Sequence, residues 1–253
     1  FTSMDLKKIY KNSIEEYNKT PLATEDKWIL EFSKYTFFQF EKINEILKNK
    51  SDILDIGTGS GILPICLKKL GHNVTTIDHN LTGGNSLKNI NIFDIESKNV
   101  DLNSGVLPFS DNSFNVIYMG DVIEHLPNSP KKIIAECSRL LKPNGMMIVS
   151  TPNSLRLIGR LKLLLGNSTW PKIETFYYDE YNGTHHHEYT PNELKFVFTD
   201  NKFMIEKIHF FEENLIVDKR LNSLIGKIIK NILKIILNFA PELRSNIILI
   251  VKN

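Results

Sequence analysis

Three glycines spaced two residues apart form the clearest chemical motif of this 253-residue sequence. They lie in Asp55-Ile-Gly57-Thr-Gly59-Ser-Gly61, directly after a short apolar run that is typical of a buried strand. Glycines at a strand-to-helix turn allow backbone angles that other residues resist, and they let a ligand approach the main chain. The spacing differs from the G-x-G-x-x-G turn that binds a pyrophosphate. Because Asp55 is an acid at the strand end, we expect it to point into a crevice and to favour a cationic ligand.

A second acid, Asp78, ends the next strand pattern. At this place in a doubly wound sheet, an acidic side chain can accept hydrogen bonds from both hydroxyls of a ribose. A lone acid at a strand end is more often a solvated turn residue, but the glycine-rich turn makes the binding role the stronger interpretation. We expect His79 to lie next to the same ligand.

The patterns around these residues predict alternating strands and helices. The first strand, the glycine-rich turn, a helix closed by Gly71 and the second strand form one βαβ unit of a parallel sheet. A turn at 143–145 precedes the fifth strand, and residues 151–153 end it. We therefore predict a single doubly wound α/β domain. Its strands are expected at 52–56, 74–77, 97–102, 114–119, 146–150, 203–211 and 246–252, and its helices at 29–47, 61–70, 129–141, 155–170, 192–200 and 221–239.

Composition excludes several classes of protein. The chain is 42% hydrophobic and 24% charged, which is ordinary for a globular protein and unlike a disordered or collagen-like chain. Its 31 basic and 29 acidic residues nearly cancel, so no nucleic-acid partner is expected. It has neither an apolar run long enough for a membrane span nor a signal-peptide pattern. Cys66 and Cys137 are far apart in apolar helical patterns, which predicts reduced core thiols of a cytoplasmic protein.

Residues 55–61 resemble the glycine-rich first motif of class I S-adenosylmethionine-dependent methyltransferases. The segment 101–126 resembles the small-molecule branch of that family, which includes the ubiquinone-biosynthesis type enzymes. The resemblance extends over residues 45–153 and returns weakly at 185–194. It implies a Rossmann-like, seven-stranded, mostly parallel sheet with an antiparallel last strand, N-terminal helices and an insertion after the fifth strand.

The resemblance also implies a site for S-adenosylmethionine and its product S-adenosylhomocysteine. In the family, the glycine-rich turn lies beside the methionyl part. The resemblance implies that Asp101 binds the adenine amino group and that Leu102 packs on the adenine ring or donates its backbone N–H to it. Met119 and Gly120 would border the methionyl part. The implied cofactor-binding residues are Asp55, Gly57, Thr58, Gly59, Gly61, Asp78, His79, Asp101, Leu102, Met119 and Gly120. Asn115 stands where the family usually has Asp, away from the cofactor.

Histidine is the natural base near neutral pH, and His185 to His187 form an uninterrupted run of three. If this segment is extended, His185 and His187 point to one side, and either is a candidate base for methyl transfer to an alcohol. A solvated surface loop is the alternative. The His-x-His spacing could also bind a metal, but no cysteine or second histidine cluster supports this, so we predict no metal site.

The acceptor is expected to be a small molecule. A nucleic-acid amino methyltransferase would usually carry an Asn- or Asp-Pro-Pro-aromatic tetrapeptide after the fourth strand, where this chain has Gly120-Asp-Val-Ile123. We expect Asp121 near the crevice mouth, where it could bind the substrate, and His125 mainly in an orienting role. Arg156 could meet an anionic acceptor such as a sugar phosphate or a nucleotide sugar, for example a surface-polysaccharide precursor. Tyr178 is one of several tyrosines that could line the acceptor pocket.

We expect one methyltransferase domain over 1–253. It would comprise a helical cap (4–50), a cofactor-binding core (51–152), an acceptor-site insertion (153–191) and C-terminal helices with the last two strands (192–253). Two other functions fit the same fold. One is a regulatory protein that binds S-adenosylmethionine without catalysis, and the other is an NAD-dependent oxidoreductase.

The segment 221–239 has apolar residues along one side and Lys227, Lys230 and Lys234 on the opposite side, which predicts an amphipathic helix. We expect its apolar stripe to pack on the domain core. The alternatives are a cover over the acceptor site, a homodimer contact, or the surface of a membrane. The segment has no Trp or Arg and the whole chain is nearly neutral, which argues against the membrane.

Overall fold

The computed structural model describes residues 2–20, 31, 33–47, 49–79, 90–169, 177, 185–213 and 224–253. Tyr178 lies outside these residues. The strands are β1 Asp52–Ile56, β2 Asn73–Asp78, β3 Glu96–Asn99, β4 Phe114–Gly120, β5 Leu141–Pro152, β6 Met204–Phe211 and β7 Asn246–Lys252. The longer helices are α1 Ser3–Asn18, α2 Lys34–Ile46, α3 Ile62–Lys69, α4 Lys131–Leu140, α5 Leu157–Leu164, α6 Pro191–Asp200 and α7 Leu224–Phe239.

The seven strands form one sheet in the order β3-β2-β1-β4-β5-β7-β6. β1 to β5 pair in parallel, whereas β7 pairs antiparallel with both β5 and β6. The Rossmann-like, mostly parallel sheet with an antiparallel last strand is therefore confirmed. The central strands β1, β4 and β7 are buried along most of their length, which explains why their sequences are nearly continuous apolar runs.

Two hydrophobic cores lie on opposite faces of the sheet. Helices α1, α2 and α3 cover one face, where Phe40 belongs to the same core as Ile53 of β1. Helices α4 and α6 cover the other face, where Phe198 belongs to the same core as Leu54. Successive residues of β1 enter different cores because side chains alternate across a strand. The ligand crevice must therefore lie at the carboxyl edge of the sheet, between the two layers of helices.

Strands β3 and β5 differ from their predicted bounds. β3 ends at Asn99, and residues 102–104 form a 3-10 turn. β5 is longer than predicted at both ends. The predicted turn at 143–145 is an irregularity within β5, where the pairing with β4 shifts register and Asn144 has a φ angle of 63°. Thr151 and Pro152, which were expected to end the strand, pair with β7 instead.

Two helices are shorter than predicted. Helix α2 begins at Lys34, where the Ser33 side chain accepts a hydrogen bond from the Thr36 N–H, and Ile29 lies outside the described residues. Helix α5 begins at Leu157 and ends at Leu164. Gly166 follows it with a φ angle of 75°, the left-handed conformation that commonly ends a helix.

Candidate active site

The glycine-rich turn joins β1 to α3 at the carboxyl edge of the sheet. Gly57, Gly59 and Gly61 have φ angles of 81°, 50° and 74°, which favour glycine. A Cβ atom at Gly57 would lie 2.2 Å from Val122 Cγ2, whereas the nearest atom to one at Gly59 would be 3.9 Å away. Packing therefore requires glycine at position 57, and the space beside Gly59 is wide enough for a ligand to approach the backbone.

Asp55 is more deeply buried than predicted, with 2% of its surface exposed. Its neighbour on β2 is Thr76, whose hydroxyl donates a hydrogen bond to Asp55 Oδ2 at 3.1 Å. The Thr58 hydroxyl of the turn contacts the Thr76 hydroxyl. Burial raises the pKa of Asp55 to about 8, and the charge of Asp78 acts in the same direction. A positively charged ligand group nearby would stabilise the ionised form of Asp55.

Asp78, at the end of β2, connects that strand to the glycine-rich turn. Its Oδ2 accepts a hydrogen bond from the Gly59 N–H at 3.2 Å, and its Oδ1 accepts one from the His79 N–H at 2.7 Å. An ionised carboxylate offers about four acceptor positions, so hydroxyl groups of a ligand could still bind there. His79 is half-buried beside it.

Asp101 and Leu102 lie near the end of the neighbouring strand β3. The Val100 N–H donates to the Asp78 carbonyl at 2.9 Å, which brings this segment to the edge that holds Asp78. The exposed Asp101 side chain accepts a hydrogen bond from the Asn103 N–H at 2.9 Å, while Leu102 packs partly against the core. The structure therefore places a carboxylate and an apolar side chain next to each other at this edge.

Met119 and Gly120 end β4, next to β1. Met119 is fully buried, so its backbone rather than its side chain borders the crevice. A Cβ atom at Gly120 would lie 2.0 Å from the Tyr118 hydroxyl, which shows how closely the chain packs here.

Asp121 follows with a φ angle of 53°, and its side chain is the centre of a partly buried hydrogen-bond network. Its carboxylate accepts from the Tyr35 hydroxyl at 2.9 Å and from Gln39 Nε2 at 3.2 Å. Gln39 Nε2 also donates to the Ser150 hydroxyl at 2.8 Å. Burial raises the pKa of Asp121, although these hydrogen bonds oppose the rise. Helix α2 therefore contributes directly to the predicted acceptor side of the crevice.

His185 forms a charged network with Glu188, which lies three residues further along the chain, and with Arg156, which is distant in the sequence. Its Nδ1 lies 3.0 Å from Glu188 Oε1, and Glu188 forms a two-contact salt bridge with Arg156, one contact being 3.2 Å between Nη2 and Oε1. Burial alone would raise the pKa of Glu188, but the hydrogen bonds from His185 and Arg156 lower it to about 2. The hydrogen bond to Glu188 in turn raises the pKa of His185. Arg156, predicted to meet an anion, is therefore occupied by Glu188.

The expected shared face of His185 and His187 does not form. The backbone N–H groups of His186 and His187 both donate to the Glu124 carbonyl, at 2.7 and 3.2 Å. In an extended strand, successive N–H groups point to opposite sides. The segment is therefore not extended here but turns. The His187 ring packs against Tyr189, and its side chain is 56% exposed. The His185 ring instead lies 4.9 Å from that of His125.

Glu124 is fully buried. Its Oε2 accepts a hydrogen bond from the Thr151 hydroxyl at 3.0 Å, whereas its Oε1 has no hydrogen-bond partner in the described part of the chain. Burial raises the pKa of Glu124 to about 8. Ligand atoms of Glu124, His125 and His185 all lie within 4.8 Å of one another, close enough to bind one metal ion. The fold thus supplies the second histidine that the sequence pattern lacked.

Three residues at this edge were missed by sequence reasoning: Tyr35, Gln39 and Glu188. Gln39 is a polar residue between two phenylalanines of α2, and Glu188 follows His185 by three positions. Both are weak signals, because neither position identifies the partner that the side chain will meet.

Comparisons with known proteins agree with this geometry. A methyltransferase-domain family matches residues 30–208. The ubiquinone biosynthesis O-methyltransferase of Colwellia psychrerythraea is 37% identical over 112 residues, which cover 40% of this chain and 42% of that protein. The protein of the same name from Rickettsia conorii is 28% identical over 178 residues, covering 67% and 56%. This chain therefore spans about half the length of these curated relatives.

The crystal structure of a SAM-dependent methyltransferase from Archaeoglobus fulgidus superimposes with a TM-score of 0.59 at 18% sequence identity, covering 87% of this chain and 100% of that one. The fold and the family match thus place this chain in the S-adenosylmethionine-dependent methyltransferase class of α/β domains. This chain belongs to the methyltransferase-domain family, as its glycine-rich motif predicted.

Proposed function

We propose that this chain transfers the methyl group of S-adenosylmethionine to a hydroxyl oxygen of a small molecule, with His185 as the base. The observation that carries the proposal is the network Arg156–Glu188–His185, which lies beside the β4 end of the crevice. Weak oxygen nucleophiles are commonly activated by a base whose orientation is fixed by a hydrogen bond to a carboxylate. Here Arg156 holds that carboxylate in place. The curated relatives are named O-methyltransferases, which supports oxygen as the acceptor atom.

The residues at the carboxyl edge fit the cofactor. The left-handed turn with open space beside Gly59 suits close approach of the methionyl part, and the buried Asp55 suits its positive charge. We assign Asp78 to the ribose hydroxyls, and Asp101 and Leu102 to the adenine. Bound S-adenosylmethionine supplies a methyl group on a positively charged sulfur, which makes that carbon electrophilic.

The protein holds the acceptor and removes its proton. Glu188 keeps His185 Nδ1 hydrogen-bonded, which directs Nε2 of the same ring toward the acceptor hydroxyl. His185 Nε2 would accept the hydroxyl proton as the acceptor oxygen takes the methyl group, and S-adenosylhomocysteine would leave. Arg156 acts as a positioning residue because it neutralises and holds Glu188. A metal ion on His185 would need the same Nε2 atom, so the base role and a metal role exclude each other.

The surrounding charges favour a neutral acceptor. The carboxyl groups of the half-buried Asp121 and the buried Glu124 lie on this side of the crevice, and the guanidinium of Arg156 is already paired. Among the described residues, a phosphate close to the reacting oxygen would therefore meet these acidic groups, because the guanidinium of Arg156 is already bound to Glu188. We propose a sugar hydroxyl, for example of a nucleotide-linked surface-polysaccharide precursor whose phosphates lie away from Asp121, or a comparable neutral metabolite.

We also propose a cytoplasmic location for this reaction. Cys66 and Cys137 are both free and buried, one in each core of the sheet. Reduced thiols persist most readily in the cytoplasm.

The two histidines provide a matched test. With labelled S-adenosylmethionine and a panel of sugar-nucleotide and phenolic acceptors, His185→Gln should lower turnover by about 10²–10⁴-fold, while His187→Gln should remain near the wild type. Calorimetric binding of S-adenosylhomocysteine should be unchanged in both. Near-wild-type turnover of His185→Gln would disprove the base role. A chelator should not affect turnover, and a loss restored by a divalent cation would assign His185 to a metal site instead.

Thermal shift separates this proposal from a dehydrogenase. S-adenosylhomocysteine should raise the melting temperature in a concentration-dependent way, and NAD should not. Stabilisation by NAD alone would favour the oxidoreductase. Binding of S-adenosylhomocysteine without methyl transfer to any acceptor of the panel would favour a regulatory protein.

A further inference from the structure

Helices α5 and α7 present a large apolar surface outside both cores of the sheet. Their exposed apolar side chains form what we call the helix-pair surface. It comprises Leu161, Leu163, Leu164 and Leu165 at the end of α5, and Ile228, Ile229, Ile232, Ile235, Ile236 and Phe239 of α7. Large exposed apolar patches usually mark a binding site for a protein or a membrane.

The expectation that the α7 stripe packs on the domain core is wrong for most of its length. Leu233 and Leu237 are buried, and they pack in a small separate cluster with Leu157 and Ile158 of α5. At 100° per residue, the two buried leucines lie along one edge of α7. The exposed isoleucines occupy the adjoining face, so α7 is attached by its edge while its broad apolar face is in contact with solvent.

Charge on the two helices is all of one sign. Neither helix contains an Asp or Glu, whereas together they carry Arg160, Lys162, Lys227, Lys230 and Lys234. None of these five cations forms a salt bridge with a described residue. Because the whole chain has a net charge of only +2, the remainder of the chain is net negative. Positive charge is thus concentrated beside the exposed apolar surface.

We propose that the helix-pair surface binds to the headgroup region of an anionic lipid bilayer. Apolar side chains on one face and cations on the other are the pattern of a helix that lies in the plane of the membrane interface. Such a helix sinks about 5–10 Å into the boundary between headgroups and acyl chains. Since a helix is about 10–12 Å across, the lysines on the far side of α7 reach the level of the phosphates. No described helix is long and apolar enough to cross the membrane.

The positive charge of the two helices also distinguishes between the two partners that could cover this surface, a second copy of the chain and a lipid bilayer. In a contact between the isoleucine faces of two copies, the lysines on the far side of α7 would point away from the partner and would gain nothing from the association. An anionic bilayer attracts those cations and accommodates the isoleucines in its acyl region.

Co-sedimentation with phosphatidylcholine vesicles, with and without phosphatidylglycerol, tests the proposal at physiological salt. The wild type should pellet only with the anionic vesicles. Changing Lys227, Lys230 and Lys234 to Glu should weaken binding by at least about tenfold, and so should Ile228→Gln with Ile235→Gln. The matched control is a variant in which three exposed lysines of α1 are changed to Glu, namely Lys7, Lys8 and Lys11. This variant should still bind to the anionic vesicles. Unchanged melting temperatures establish that all variants are folded.

Three results would overturn the proposal. The wild type could remain in the supernatant with both kinds of vesicle. The α1 control could lose as much binding as the α7 variant, which would make net charge alone responsible. Light scattering could detect a dimer that dissociates in the isoleucine variant and does not pellet with vesicles, which would assign the surface to a second copy of the chain.

Discussion

Replacing Gly57 with alanine adds one methyl group where the turn after β1 meets the segment after β4. The new Cβ atom would lie 2.2 Å from Val122 Cγ2, and the residue would have to keep a φ angle of 81°. The left-handed backbone costs about 1–2 kcal/mol for a residue with a Cβ atom, and overpacking adds about 1–3 kcal/mol. We therefore expect Gly57→Ala to lower the free energy of unfolding by roughly 2–5 kcal/mol.

Gly71 provides the matched control, because its φ angle is 90° and a Cβ atom there would have no neighbour within 4 Å. Gly71→Ala should thus cost only the backbone part, about 1–2 kcal/mol. Both variants would be measured by urea unfolding without cofactor. In a Val122→Ala background the clashing methyl group is gone, so the cost of Gly57→Ala should fall to that of Gly71→Ala.

Two results would refute this reasoning. Equal costs for Gly57→Ala and Gly71→Ala in the wild-type background would show that the contact with Val122 is relieved without loss of stability. A cost of Gly57→Ala that does not change in the Val122→Ala background would place the strain elsewhere in the turn. Neither result depends on the identity of the ligand.

Asp78→Ala should weaken calorimetric binding of S-adenosylhomocysteine by about 10–100-fold, because buried hydroxyls lose a charged acceptor; an unchanged dissociation constant would remove the ribose assignment. Asp55→Asn should reduce the pH dependence of stability. The folded-state pKa of Asp55, about 8, lies above its ordinary value of 3.8, so the folded state binds the proton more tightly and loses stability as pH rises between these values. Urea midpoints near pH 5 and pH 8 measure this loss, and an equal loss in wild type and Asp55→Asn would mean that Asp55 is already ionised in the native protein.

The sequence alone predicted the features that depend on neighbours along the chain. The apolar runs of β1 and β4, the glycine-rich turn and the acids at the strand ends all follow from local periodicity and backbone preference. Parallel strands bring their carboxyl ends to one edge of a sheet, so the sequence pattern by itself places Asp55 and Asp78 at the same edge. The bounds of β5 were not predictable in this way, because Thr151 and Pro152 are strand residues only through their pairing with β7.

Side-chain partners between distant segments were decided by the tertiary structure. Tyr35 and Gln39 meet Asp121 across more than 80 residues of sequence, and no local pattern encodes which strand end a helix will cover. The divergence of His185 and His187 has the same origin, since the Glu124 carbonyl turns the chain between them.

Helix α7 shows the limit of periodicity most clearly. Its repeating isoleucines and lysines determine by themselves that the segment is an amphipathic helix. They do not determine what the apolar face contacts, because both a protein core and a lipid interface favour the same side chains. Packing on α5 decided that two leucines along one edge are buried and that the broad apolar face is exposed. The helix is thus a property of the sequence, and its exposed surface is a property of the fold.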